Sequence, residues 1–592
     1  MECFYQWYKD HNAVVTDPNV ILSKSDLADP SSGYGLYALP DITDEGKSTK
    51  DRENDEGILL RIPKNAAFDI NTIDAIIHDA DMYTTPAQSE RTLGKVKEAF
   101  KHLMENPKTE EFLSEATILA FYFLLFHFIK EDYEIPALFR QYLDNVLVVT
   151  EINNPITRPH EYIPLYRQYP TLLGDELVIL YFTSYLENEL GIDIEKSEKT
   201  IRQIYAAITS RTLEIPHEIS EESNDFTTST TLVPILDFIN HSSEMPWCAF
   251  DVDRKSADII LKYKNLEPFR NNNNKQELFI QYSDIIEYTS FNFTYGFVPV
   301  VPDTSVCYFN LSLQRSLLDK RTRLYYKWFN INPVIQFYKE GIHGKWKINL
   351  THEKFIELLL PFMKDSHIDE QGSWLYNPNA YNTFAEYHSK LDPDENIEDL
   401  RTLYRSNIRA DEHSAGDIMH FPQLAWTLRY SEGERNVLKK RVSKSEAIDY
   451  IKELPEDDLE DTFEAFKKFL TEYANYRDQV IVKFVESIIS VEDKDQKAGR
   501  QSFLDLCQVE RAVLGNIQDI QVKMILEETT KSLDNVPLPP PINVSLDEEE
   551  EDIAPEFSEG DSNTNGDEPY DEDNFTDFLD EEYSMLSLFF NR

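Results

Sequence analysis

Three separate segments of the chain hold residues that could bind a ligand or take part in a reaction. The first is Gly33-Tyr34-Gly35. Glycine tolerates positive backbone dihedrals and lets the main chain come close to a ligand. However, two glycines separated by one residue occur more often in a simple turn than in a ligand site. Taken alone, this segment therefore favours a turn.

The second segment, VPILDFINHSS, joins an apolar run to Asp237, Asn240 and His241. Buried polar side chains need hydrogen-bond partners, and apolar strands that end in polar clusters commonly border ligand pockets. A helix that begins with a cap at Asn240 is the alternative, and both interpretations stay open. The third segment, FTYGFVPVVPD, places Tyr295 beside Gly296 and by itself is typical of an aromatic core.

Strand and helix patterns alternate around these segments. The runs GYGLYAL and GILLRIP predict two strands that flank an acidic loop at residues 41–56. From about Thr92 to Arg211 apolar residues recur every three or four positions, which predicts helices. The run from Thr117 to Ile129 predicts a buried helix, because it is too short to cross a bilayer. Strand patterns return in AFDVD, DIILKY and ELFIQY.

Helical patterns dominate again beyond Pro302 and predict an all-α C-terminal domain. After Lys531 no lysine or arginine occurs until Arg592, and a proline-rich stretch, VPLPPPI, leads into a strongly acidic segment. Such a composition cannot bury enough apolar surface to fold by itself, so we expect a disordered acidic tail.

Six segments taken in order resemble a known family. They are SSGYGLYAL, GILLRIPKN, AAITSRTLEI, LVPILDFINHSS, ELFIQY and YGFVP. Together they resemble the split SET domain of the Rubisco large-subunit methyltransferase class of protein lysine methyltransferases. The resemblance covers Ser31 to about Pro302, and a looser similarity begins at Leu428 with LRYSEGERNVLKKRV.

The resemblance implies an α+β fold with a β-rich SET domain that is split in two. We expect its N-terminal part at 1–89, an all-helical insertion at 90–215 and its C-terminal part, with the cofactor and catalytic motifs, at 216–302. A helical domain similar to a substrate-binding domain would follow at 303–535, and the acidic tail at 536–592.

The same resemblance implies that S-adenosylmethionine is the cofactor. The residues expected to contact it are Ser32, Gly33, Tyr34, Arg211, Asn240, His241 and Tyr295. Ser32 to Tyr34 would approach it through backbone groups, and Arg211 would lie beside the cofactor or the target lysine. Asn240 and the backbone of His241 would hold its methionine moiety and adenine.

Tyr295 matches the family's catalytic tyrosine. Asp237 and Tyr282 are candidates for the channel that admits the substrate lysine. Asp237 could instead organise its own turn or act as an ordinary cap, and Tyr282 could be a packed aromatic residue on a strand. No metal is expected, because neither the resemblance nor the cysteine spacing indicates one.

The chain departs from the family pattern at several positions. Members often have an acidic residue where this chain has Ser32, so a contact to the cofactor amine would be lost or relocated. Tyr288 and Ser290 replace an asparagine and a glutamate in the helix before YGF, and Lys275-Gln276 replaces a Gly-Glu turn. The last two departures are interpreted as structural.

Charge limits the partners of this protein. Its 592 residues carry a formal net charge of -49, and such a polyanion repels nucleic-acid phosphates and anionic lipids but attracts basic proteins. The four cysteines are scattered and the N-terminus resembles no secretory signal, which favours the cytoplasm, with the nucleus as the alternative. We expect a monomer that binds a basic protein, without nucleic acid or membrane.

We therefore predict a protein-lysine N-methyltransferase that acts on a basic non-histone protein of the ribosomal protein, elongation factor or cytochrome c type. A catalytically inactive SET-like scaffold that holds a basic partner is the alternative, because of Ser32 and the altered residues before YGF.

Overall fold

The computed structural model describes residues 1–25, 33–39, 57–78, 86–105, 113–129, 136–158, 165–166, 169–218, 226–264, 274–313, 318, 326, 331, 333–349, 352–362, 452, 456–489 and 497–517. They form two compact units. The first holds the described residues between Met1 and Pro302 together with 497–505. The second holds those between Asp303 and residue 489 together with 506–517. The predicted acidic loop and acidic tail lie outside the described residues.

The first unit contains short strands arranged in several sheets. In chain order they are β1 (Val15–Thr16), β2 (Val20–Lys24), β3 (Tyr34–Ala38), β4 (Ile58–Ile62), β5 (Thr212–Glu218), β6 (Phe226–Leu232), β7 (Asn240–His241), β8 (Cys248–Val252), β9 (Ile259–Tyr263), β10 (Gln276–Glu277), β11 (Phe279–Ile280) and β12 (Ile286–Glu287). The strands predicted from GYGLYAL, GILLRIP, AFDVD, DIILKY and ELFIQY are therefore confirmed.

Pairing between these strands brings distant parts of the sequence together. One antiparallel sheet has the order β1-β4-β9-β8, and a second has the order β10-β3-β2. β5 and β6 form an antiparallel pair, whereas β7 pairs with β11 in parallel. The second sheet contains Tyr34, and the β7–β11 pair contains Asn240 and His241, three of the residues singled out from the sequence.

The helices of the first unit lie mostly between β4 and β5, as the periodicity predicted. They are α1 (Glu2–Asp10), α2 (Ile70–His78), α3 (Pro86–Glu105), α4 (Glu115–Ile129), α5 (Ala137–Tyr142), α6 (Pro170–Leu190), α7 (Ile194–Thr209) and α8 (Tyr288–Tyr295). α6 begins at Pro170, whose missing N–H costs nothing at a first helical position, and ends before Gly191 in the left-handed conformation.

The core of the helical region is the predicted buried helix, α4. The side chains of Phe121, Phe123 and Phe126 are at most 1% exposed, and the helix packs against α7 and α6. Apolar burial of this kind supplies the main driving force for folding. Among the described residues, no helix combines the length and apolar character that crossing a membrane would require.

All four cysteines are described, and none forms a disulfide. Cys3 is exposed on α1, whereas Cys248, Cys307 and Cys507 are buried. Burial raises the pKa of the Cys248 thiol to about 12.

The second unit is helical, as predicted, but it also contains strands that the sequence analysis did not predict. Its described elements are β13 (Val306–Ser312), β14 (Val334–Glu340), β15 (Lys347–Ile348), α9 (His352–Leu359), α10 (Glu456–Ile489) and part of α11 (Lys497–Ile517). β13, β14 and β15 pair in an antiparallel sheet. Between α10 and α11, Arg477 and Glu510 form a buried ion pair with a 2.7 Å contact.

Candidate active site

The Gly33 segment lies at the start of β3, next to the end of β2. Gly33 has a backbone φ of +61°, and its carbonyl accepts a 3.0 Å hydrogen bond from the amide of Ser25. Its position at a turn with positive φ explains why glycine is needed there. Tyr34 follows as the first residue of β3 and is half-buried, whereas Ser32 lies outside the described residues.

Asn240 brings a second predicted segment against the first. Its amide nitrogen donates to the Glu277 carboxylate at 2.6 Å and lies 3.4 Å from the carbonyl oxygen of Tyr34. The alternative of a helix that begins at Asn240 is wrong. A 3₁₀ turn at Leu236–Phe238 precedes it, and Asn240 and its neighbour pair as a strand with β11.

His241, the other residue of β7, is held as a neutral imidazole. Its Nδ1 accepts a 3.1 Å bond from the amide of Tyr282, so Nε2 carries the proton and donates to Ser243 Oγ at 2.8 Å. The rings of Phe291 and Phe297 lie within 5.8 Å of the imidazole. Burial lowers the pKa of His241 to about 4.

Tyr295 is the last residue of α8 and lies in the same aromatic cluster. Its ring centroid is 4.8 Å from that of Tyr282, 5.4 Å from that of Phe291 and 6.1 Å from that of Phe297. Among the described residues no group hydrogen-bonds to its hydroxyl. Burial raises the pKa of Tyr295, so the phenol is neutral at physiological pH.

Both ends of α8 are fixed by local interactions. At its start, the Glu287 carboxylate caps the helix by accepting bonds from the amides of Thr289 (3.1 Å) and Ser290 (2.7 Å). At its end, Gly296 has a φ of +80°, and a Cβ there would lie 2.7 Å from the carbonyl oxygen of Asn153. Glycine therefore meets both a conformational and a steric requirement just after Tyr295.

A residue far away in the sequence supports the same helix. The side-chain amide of Asn292, one turn before Tyr295, donates to Ser502 Oγ at 2.7 Å and to the Ser502 carbonyl at 3.2 Å. Asn292 is 2% exposed. This pair could not be predicted from the sequence, because no local pattern relates residues 210 positions apart.

Arg211 and Asp237 form a buried ion pair. Arg211 Nη1 lies 2.9 Å from Asp237 Oδ2 and donates to the Asp237 carbonyl at 3.0 Å, and the Tyr142 hydroxyl donates to Oδ2 at 2.6 Å. Burial raises the pKa of Asp237, although the guanidinium opposes this shift. Arg211 Nε and Asp237 Oδ1 are buried without a hydrogen-bond partner among the described residues.

The structure thus joins the residues singled out from the sequence by a series of contacts. Asn240 reaches the Gly33 segment, and the neighbouring imidazole contacts Tyr282, which contacts Tyr295. The Tyr282 hydroxyl donates to the Ile239 carbonyl at 2.9 Å, two residues after Asp237. The stretches near residues 33, 240 and 295 therefore converge.

These residues fit a cofactor that combines a nucleoside with an amino acid. Backbone groups beside Gly33, the Asn240 amide and the unpartnered buried atoms of Arg211 and Asp237 are polar groups suited to such a ligand. Within the described ranges, no group of three or more His, Cys, Asp or Glu residues is placed to hold a metal ion.

Comparison with known proteins identifies the family. A family model described as "Cytochrome c lysine N-methyltransferase 1" matches residues 1–551. The chain belongs to this family. It is similar to a cytochrome c lysine N-methyltransferase 1 from Saccharomyces cerevisiae, with 30% identity over 100% of both chains. A relative of the same name from Candida glabrata is 28% identical over 90% of this chain and 96% of its own.

Among solved structures, the chain is similar to the SET domain of LSMT bound to methyllysine and AdoHcy. That match covers 90% of this chain and 93% of the other at 14% identity, with a TM-score of 0.43. Rubisco LSMT bound to sinefungin and monomethyllysine gives a TM-score of 0.40 at 15% identity, with 90% and 93% coverage.

The family match confirms the predicted class. The protein is an S-adenosylmethionine-dependent protein-lysine N-methyltransferase, and the alternative of an inactive scaffold is not supported. The roles predicted for individual residues remain predictions.

We expect Asn292→Ala to lower methyl-transfer turnover. Loss of both bonds to Ser502 leaves buried polar groups unpaired, which costs about 1 to 3 kcal/mol, and frees the helix that carries Tyr295. Misplacement of a reacting group reduces turnover steeply, so we expect a loss of about tenfold or more. Ser502→Ala keeps the bond to the Ser502 carbonyl and should lose less. Turnover equal to wild type in Asn292→Ala would contradict the supporting role.

We expect His241 to make the folded protein less stable in acid. The unfolded side chain takes up a proton near pH 6.5, whereas the folded one does so only near pH 4. The contribution of the neutral His241 side chain to the free energy of unfolding is therefore complete above pH 6.5. As the pH falls from 6.5 to 4, the free energy of unfolding decreases by about 1 to 3 kcal/mol. Urea unfolding of wild type and His241→Gln at several pH values measures it. The difference between the two proteins should shrink towards pH 4, and parallel profiles would refute the assignment.

Proposed function

We propose that this enzyme transfers a methyl group from S-adenosylmethionine to the side-chain amine of a lysine in cytochrome c. One observation carries the proposal. The Saccharomyces cerevisiae relative named for this activity matches the chain along the full length of both proteins. Ribosomal proteins and elongation factors, the other expected substrates, have no such support.

The segments that converge around Asn240 are proposed to hold the methyl donor. When bound, S-adenosylmethionine supplies an activated methyl group and needs no metal or covalent intermediate. The protein must therefore orient the donor, align the amine and exclude water. Gly33, Tyr34, Asn240 and His241 would hold the donor, mainly through backbone groups and the Asn240 amide.

The aromatic cluster is proposed to lower the cost of deprotonating the lysine. A lysine of pKa about 10.4 lies roughly 3.4 units above pH 7, so the neutral amine costs about 4.6 kcal/mol in water. The cluster consists of the rings of Tyr282, Phe291, Tyr295 and Phe297. The ring centroids of the other three all lie within 6.1 Å of the Tyr295 centroid, and those of Phe291 and Phe297 lie 5.8 Å apart. A low-dielectric surrounding disfavours the ammonium form and lowers its pKa.

Tyr295 is proposed to orient the neutral amine. Because burial keeps its phenol protonated, it is not a strong base. Its hydroxyl oxygen can accept a bond from an amine N–H, which leaves the nitrogen lone pair free to face the methyl group. The Tyr282 hydroxyl is already bonded to the Ile239 carbonyl, so Tyr282 would line the channel with its ring.

The central test offers the enzyme purified cytochrome c, a ribosomal protein and an elongation factor together with a labelled donor, followed by mass spectrometry. We expect one labelled band with wild type and a loss of about tenfold or more with Tyr295→Phe, while the donor stays bound. Tyr185→Phe is the matched control, because Tyr185 is a buried tyrosine of α6, in the helical region. Labelling of a ribosomal protein or elongation factor but not cytochrome c would refute the substrate. Undiminished turnover in Tyr295→Phe would refute its role.

We expect salt to weaken the encounter with the substrate. The net charge of -49 attracts a basic protein, and ions screen that attraction beyond about 8 to 10 Å at physiological ionic strength. Raising NaCl from about 20 to about 300 mM shortens the screening length from roughly 20 to roughly 6 Å. We expect this change to increase KM for cytochrome c about tenfold. The donor Kd, measured by calorimetry, should change much less. A KM independent of salt would contradict steering by charge.

A further inference from the structure

Glu277 is a buried carboxylate at the centre of the proposed donor-binding segments. It lies on β10, where its backbone is paired with Tyr37 of β3, and it is 8% exposed. Glu277 directly follows Lys275-Gln276, the pair that departs from the family pattern. Nothing in the local pattern distinguishes it from other acidic residues of a strongly acidic chain.

Three donors from separate parts of the chain converge on this carboxylate. Ser25 Oγ lies 2.9 Å from both oxygens, the Tyr37 hydroxyl donates to Oε2 at 3.0 Å, and Asn240 Nδ2 donates to Oε1 at 2.6 Å. Ser25 also bonds through its amide to the Gly33 carbonyl. The carboxylate therefore ties the end of β2, the middle of β3 and the start of β7 to one point.

The carboxylate also decides which end of the Asn240 amide faces it. Asn240 Nδ2 donates to Glu277 Oε1, so the NH₂ group of Asn240 points at Glu277. The amide oxygen, Oδ1, then points away from Glu277, and no described residue donates to it. Asn240 thus presents an acceptor that can bind an N–H donor such as an ammonium or an adenine amino group.

Gly35 shows how closely the chain is built around this carboxylate. A Cβ at Gly35 would lie 2.2 Å from Glu277 Oε1 and 3.1 Å from Asn240 Nδ2. Any side chain at this position would displace the carboxylate or the amide. The glycine therefore makes room for Glu277.

We propose that Glu277 is a positioning residue for the methyl donor: it holds the Asn240 amide with Oδ1 turned towards the ligand. The proposal rests on the donor site described above, in which Asn240 contacts the ligand. Glu277 acts through Asn240, because its two oxygens are already occupied by Ser25, Tyr37 and Asn240.

Calorimetric titration with S-adenosylmethionine and S-adenosylhomocysteine tests the proposal without any methyl transfer. Glu277→Ala and Asn240→Ala should each raise the Kd of both ligands by about five- to hundredfold. The double variant Glu277→Ala/Asn240→Ala should have the same Kd as the single variant with the higher Kd, since both changes remove the same contact. Additive losses would overturn the proposal. A loss confined to the positively charged sulfonium ligand would also overturn it, because that result indicates a direct effect of charge.

An exchange of groups provides a test that a merely structural role would not pass. Asn240→Asp places two carboxylates in contact and should weaken donor binding by about tenfold or more. Adding Glu277→Gln supplies an N–H donor to the introduced aspartate, whose other oxygen can still face the ligand. Binding should then recover to within about fivefold of wild type. If it does not recover, the positioning role is wrong, and this test holds even if Glu277→Ala fails to fold.

The matched control is Glu176→Gln. Glu176 is also a buried carboxylate, 7% exposed, and it is bonded to Arg202 in the helical region instead of the donor site. The variant should lower stability but leave the donor Kd unchanged. Wild type that binds the donor but fails to methylate cytochrome c would refute the proposed substrate and leave the Glu277 proposal standing. Wild-type donor affinity in Glu277→Ala would refute the Glu277 proposal alone.

Discussion

The buried ion pair between Asp237 and Arg211 governs how this site is assembled. The side chain of Asp237 is 0% exposed and that of Arg211 11% exposed. An unpaired buried charge costs several kcal/mol, so neither residue can be buried without the other. The Tyr142 hydroxyl completes the arrangement, and it belongs to the helical region between β4 and β5. That helical region is therefore part of the site's framework.

The turn that contains Asp237 begins with a backbone conformation that is unfavourable unless the surrounding structure holds it in place. Ile235 has a φ of +75° and is 0% exposed, although β-branched residues rarely adopt positive φ. Burial of its side chain, together with the ion pair two residues later, offsets a local cost of about 1 to 3 kcal/mol. The chain is thereby turned sharply between β6 and β7, and Asn240 and His241 reach the partner strand β11.

Features that depend on local pattern could be predicted from the sequence. Apolar spacing predicted α4 and the strands β8 and β9. The resemblance of six motifs to the SET-domain family implied which segments meet. The roles of Glu277 and Ser502 could not be predicted, because their partners lie tens to hundreds of positions away. The strands β13 and β14 were missed because long helical patterns dominate the surrounding sequence. Tertiary pairing decided their conformation.

Of the four cysteines, Cys3 alone has an exposed thiol that can react with reagents in solution. Only thiolates react rapidly with maleimides or peroxide, and a buried thiol such as that of Cys248 is almost never ionised at neutral pH. Cys307 and Cys507 are similarly shielded, whereas Cys3 is exposed near the start of α1. A fluorophore could therefore be attached at one known point without mutagenesis, which makes the protein suited to fluorescence studies of substrate encounter.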